Sequence, residues 1–178
     1  MPSNRQQGRL SAAHLRLFVT ILMQNETVFS HFKSKMTVAH FPEESYQLLY
    51  RVLLDFNKEN NCLPSFTEIW ADLESMFEQD SEIISDGGRI DLEDFLSEAT
   101  DPDFLNSEQA HSKKLEKFAL RIGRRILMFA QTDKLQLALD KGIEEKDLPF
   151  VLQKVQIELE MLKTMGIKDK AALTFDID

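Results

Sequence analysis

FPEESYQLLYRVLLDFNKENNCLPSFTEIWADL, residues 41–73, holds two helix-start signals in one continuous stretch, and its reading decides the fold. Pro42 suits the first turn of a helix, where a missing N–H costs nothing, and Glu43 and Glu44 complement the positive end of the helix dipole. A helix is therefore expected from about residue 42. Tyr46, Leu49, Tyr50, Leu53, Leu54 and Phe56 recur at three- and four-residue intervals, with Gln47, Arg51, Asp55 and Lys58 largely between them, so one face is core. Asn60-Asn61 marks the end, because asparagine tolerates left-handed and turn geometry, and Pro64 holds Leu63 extended. Ser65 then restarts the chain as an N-cap. Glu68, three residues on, completes a capping box ahead of Ile69, Trp70, Leu73, Met76 and Phe77.

Working outward, Ser11 to Met23 reads as a core helix capped by Ser11, with Leu15, Phe18, Val19 and Leu22 at helical spacing. A short second helix is expected from Glu26 to about Lys35, presenting Val28, Phe29 and Phe32. Downstream, the acidic EQDSEIISDGGRIDL (residues 78–92) reads as irregular, with a turn at Asp86-Gly87-Gly88 and a short helix capped by Asp91 and Asp94, closed before Pro102. From Ser107 the lone Gly123 is the strongest breaker until Gly142, which predicts one helix on the order of 50 Å long at about 1.5 Å per residue. Leu115, Ala119, Ile122, Ile126 and Phe129 form its seam, continued less regularly by Leu137. Asp147 caps another helix, with Pro149 in its first turn, Leu152, Val155, Leu159 and Leu162 at three-four alternation, and Gly166 at its end.

These signals predict an all-α fold: a small helical bundle head over residues 1–106, then a long antiparallel helical hairpin over 107–166. Residues 167–178, IKDKAALTFDID, lack periodicity and read as a linker. Leu120, Leu127, Met128, Leu135 and Leu139 lie off the seam of the first arm. A two-helix hairpin cannot cover them all, so some are expected to pack on the bundle or on another subunit.

With 178 residues and 43% hydrophobic content, the chain can bury a substantial core. Cys62 is the single cysteine, which excludes an internal disulfide and a cysteine-based zinc cage. Neither a run long enough to span a membrane nor a signal-like h-region is present, so the expectation is a cytoplasmic protein without membrane partners. The formal net charge is -9, from 30 acidic and 21 basic residues, which argues against a chain-wide nucleic-acid surface. Basic residues nevertheless concentrate at Lys113, Lys114, Lys117, Arg121, Arg124 and Arg125. That stripe reads first as a solvated or partner-facing helix face and second as a possible DNA contact.

Catalytic chemistry is hard to find. The chain has neither G-x-x-x-x-G-K-[ST] nor G-x-G-x-x-G, its four histidines are never spaced for a helical metal site, and residues 80–94 fail the ligand pattern of a calcium loop. Trp70 and Tyr46 lie on apolar stripes and read as core rather than as base-stacking platforms. No catalytic, cofactor or metal residues are assigned.

The 41–73 block resembles the N-terminal domain of DnaB-family replicative helicases, in which an "F…Y…+…F" helix leads through a proline-type turn to a second amphipathic helix. Within that family it looks most like the T-even bacteriophage members, with Leu63-Pro64-Ser65, Glu116-Lys117-Phe118 and Thr174-Phe175-Asp176 matching their "VPS" turn, "EKY/EKF" helix and Ser/Thr-Phe-Asp tail. The resemblance implies a non-catalytic domain whose hairpins pair between subunits, as a dimer or within a hexamer, and form a collar that receives primase or a helicase loader. ATP and magnesium would belong only to a RecA-like motor beyond this chain. Leu120, Leu127, Met128, Leu135 and Leu139, with Ile157 and Met161 on the second arm, become the candidate subunit interface. A free-standing α-helical dimerising adaptor or phage regulatory protein is the alternative.

Overall fold

The computed structural model describes residues 10–99, 112–140 and 147–163, and every regular element among them is helical. α1 (Ala12–Gln24) starts after Ser11, whose hydroxyl accepts the His14 amide at 3.2 Å. Asn25 interrupts what would otherwise be one longer helix. Its buried side chain accepts the Val28 amide at 3.0 Å and so caps α2 (Glu26–Phe32). That helix is shorter than expected, since the chain tightens at its end with Lys35 and Met36 both donating to the Phe32 carbonyl. A 3₁₀ turn, Val38–His40, follows.

α3 (Glu44–Asn60) begins two residues later than the sequence suggests, with Glu43 as N-cap and Pro42 ahead of it. Phe41, before the proline, is extended, and its carbonyl accepts the Gln47 side chain at 2.7 Å. The helix stops where expected, at Asn61 in the left-handed region (φ 57°). Cys62 is exposed in the turn that follows. Ser65 and Glu68 form the expected capping box of α4 (Phe66–Gln79): the Ser65 amide donates to Glu68 Oε2 at 2.7 Å and the Ser65 hydroxyl accepts the Glu68 amide at 3.3 Å.

The largest departure lies in the acidic segment. α5 (Asp86–Ala99) runs through Gly87 and Gly88, where the sequence suggested a turn. Ser85 is the cap that the glycines concealed, its hydroxyl accepting the Gly88 amide at 3.1 Å and donating to Glu44 Oε2 at 2.5 Å. Gly88 is needed because α3 passes close by. A Cβ there would lie 2.8 Å from both Glu44 Oε2 and Ile84 Cγ1.

Residues Leu15–Leu120 form one compact unit. Its centre is aromatic: Phe18 meets Phe32 edge-on at 5.8 Å, Phe41 lies 5.0 Å from Tyr50, and the Tyr50 hydroxyl donates to the Met36 carbonyl at 3.0 Å. Tyr46 is core, as its stripe implied, and packs on Phe95 at 5.3 Å, while Trp70 is only half-buried. Arg16 ties α1 to α5, with its guanidinium over the Phe95 ring and an ion pair to Glu98.

A second unit includes residues from Arg121 onward. The division falls inside α6 (Lys113–Asp140), rather than at residue 106 where the character of the sequence changes. The first turns of α6 belong with the head because the buried Asn25 amide donates to Glu116 at 3.0 Å and Ala119 is buried. Ser112 caps α6, its hydroxyl accepting the Leu115 amide at 3.3 Å; the expected start at Ser107 lies outside the described residues. α7 (Leu148–Lys163) follows Asp147 and carries Pro149 in its first turn, as anticipated. The breakers at Gly142 and Gly166, the boundary at Pro102 and the tail 167–178 also lie outside the described residues.

Candidate functional site

Helical periodicity places Lys113, Lys117 and Arg121 on one face of α6, and all three are exposed, as is Lys114. The stripe does not continue. Arg124 and Arg125 are 3% and 7% exposed, so their guanidinium groups are not offered to a phosphate backbone, and the exposed cationic set is shorter than the sequence suggested. Desolvation lowers the pKa of both guanidiniums, and the nearby Arg121 charge adds to the effect at Arg125. Arg125 Nε and Nη2 make no hydrogen bond, and its guanidinium lies 5.9 Å from the Phe129 ring centre.

The candidate interface residues divide into groups. Leu127 is buried within the chain, Leu120 and Met128 are half-buried, and Ile157 is exposed. The side chains of Leu135, Leu139 and Met161 lie outside the described residues. Among the described residues, α6 exposes Leu137 (55%) and α7 exposes Phe150 (70%), Leu152 (47%) and Ile157 (53%). Leu137 and Leu152 are seam positions of the sequence pattern, whereas Phe150, in the first turn of α7, falls outside the three-four alternation and carries no periodic signal.

The head carries a feature that no motif announced. The last turn of α1 and the Leu63–Ile69 segment enclose an open groove of about 460 Å³, with Met23, Leu63, Phe66 and Ile69 as apolar lining and Gln24 and Glu68 as polar lining. Hydrogen bonds from the Ser65 amide and hydroxyl hold the Glu68 carboxyl below its ordinary pKa, so this acid stays ionised at neutral pH. Nothing in the linear pattern signalled the groove, because Met23 and Leu63 are brought together only by the fold.

Among the described residues no group of three or more His, Cys, Asp or Glu side chains could hold a metal ion, and no helix is long and apolar enough to cross a membrane. Comparison with protein-family models, curated proteins and solved structures gives no significant match.

Proposed function

We propose that this chain is a non-catalytic assembly and docking domain of a hexameric replicative DNA helicase, in which α6 and α7 pair as an antiparallel hairpin that joins subunits. One observation carries the reading: four large apolar side chains, Leu137 on α6 and Phe150, Leu152 and Ile157 on α7, stand exposed. Large exposed apolar side chains of that kind mark protein-binding surface, and Phe150 and Ile157, seven residues apart, share one side of α7. The resemblance of the 41–73 block to DnaB-family domains supplies the assembly, and primase or a helicase loader is the partner class it implies. ATP and magnesium play no part in this chain's own role, and the basic residues contribute at most weak DNA contact. A free-standing dimerising adaptor would use the same exposed side chains.

Sedimentation equilibrium tests the interface. Wild-type protein is expected to self-associate, and Leu137→Glu with Ile157→Glu is expected to sediment as a monomer while keeping its helical circular dichroism. An unchanged mass would refute the chosen face. A G-x-x-x-x-G-K-[ST] loop in the reading frame beyond Asp178 separates the helicase reading from the adaptor.

A further inference from the structure

We propose that Arg125 is an oxyanion site, whose Nε and Nη2 receive a carboxylate contributed by a second copy of the chain. The occupant rests on the self-association read above, while the site stands on its own geometry. Arg125 is 7% exposed, and among the described residues neither Nε nor Nη2 has a hydrogen-bond acceptor. These two nitrogens form one edge of the guanidinium, where parallel N–H bonds match both oxygens of a carboxylate. The unused edge is therefore the one suited to bidentate pairing.

Charge makes that unused edge costly. The neighbouring Arg121 adds repulsion to the desolvation of Arg125, and among the described residues no carboxylate offsets either effect. The Phe129 ring, 5.9 Å from the guanidinium, answers the charge in part but leaves the N–H edge unbonded. A carboxylate there would supply both the counter-charge and the acceptors, and in so enclosed a place the bond would be stronger than at the surface. Arg121, four residues earlier on α6 and in the same compact unit, is exposed, so solvent lies about one helical turn away. A second copy is the fitting source. α6 is one of the two helices through which association is proposed, and each copy carries a run from Glu59 to Gly88 with repeated acids and no lysine or arginine. A phosphodiester chain fits poorly, because the net charge of -9 repels it and the edge lies below the surface.

Sedimentation equilibrium on the whole chain reads the occupant. Arg125→Met is expected to weaken self-association about tenfold or more without lowering the urea midpoint, and Arg125→Lys, which keeps the charge but loses the fork, to restore only part of it. The site is read separately on ¹⁵N-labelled protein carrying Leu137→Glu and Ile157→Glu, titrated with glutarate, inorganic phosphate or chloride at equal ionic strength. Glutarate is expected to give a saturable shift of the Arg125 Nε–H signal, and chloride none. Association of Arg125→Met equal to that of wild type, or no glutarate shift, would overturn the proposal while self-association stands. A response to phosphate alone would overturn the carboxylate. A wild-type chain that stays monomeric would refute the assembly reading, and with it the second copy as occupant, and the glutarate titration would still decide the oxyanion site.

Discussion

Replacing Gly88 with alanine adds one methyl group where α5 approaches α3, and the surroundings allow its cost to be worked out. The new Cβ would stand 2.8 Å from Glu44 Oε2, 2.8 Å from Ile84 Cγ1 and 3.1 Å from Ile84 Cδ1. Glu44 can swing away, but only by releasing the Ser85 hydroxyl, a loss of about 0.5–1.5 kcal/mol. Ile84 is buried and has less room to yield, and overpacking of this kind costs about 1–3 kcal/mol. Against this, alanine is favoured over glycine in a helix by about 0.5–1 kcal/mol. The net expectation is a loss of about 2 kcal/mol, within a span of about 0.5–4 kcal/mol. Gly87 is the control, because a Cβ there meets nothing within 4 Å. Gly87→Ala should gain up to about 1 kcal/mol, placing the two variants about 2–3 kcal/mol apart. In urea denaturation at equal m, their midpoints should differ by about 1 M. If Gly88→Ala proved as stable as Gly87→Ala, the close approach of α3 would not be the reason for glycine at this position.

Two further predictions concern charge. Burial raises the Tyr46 phenol from its ordinary value of 10.0 to about 12, helped by the Glu43 charge and opposed by Arg16. Because the folded pKa lies above the unfolded one, this contribution is complete below about pH 10 and is lost as pH rises toward about 12, a loss of about 1–3 kcal/mol that Tyr46→Phe should remove from denaturant melts across that window. Arg125 holds two buried nitrogens, Nε and Nη2, whose N–H groups have no acceptor, so Arg125→Met should leave the urea midpoint unchanged or higher; a clear drop would mean the cation is better compensated than its contacts indicate.

Local chemistry was readable wherever it acts over a few residues. Ser65 with Glu68, the left-handed Asn61 and the Ser11 cap follow from side-chain reach and backbone preference, and each stands where the sequence pointed. What depends on distant partners was not readable. Gly87-Gly88 speaks for a turn by intrinsic propensity, and only the passage of α3 beside Gly88 explains why a helix there uses glycine. Asn25 looked like any polar residue until Glu116, remote in sequence, supplied its second hydrogen bond. Arg124 and Arg125 continued a basic pattern on paper, yet tertiary burial took them out of it. The Arg16–Glu98 pair joins residues too far apart for any periodicity to connect. For the candidate surfaces, the helices bearing them were legible, but which apolar residues remain uncovered was not, since exposure is a property of packing.

Cys62, exposed in the turn after α3 and the sole thiol of the chain, immediately precedes Leu63 at the edge of the groove. The unmodified protein therefore comes with its own reporter position. A maleimide dye attaches at one place without removing any competing cysteine, and its emission reports on the surroundings of the turn that carries Leu63.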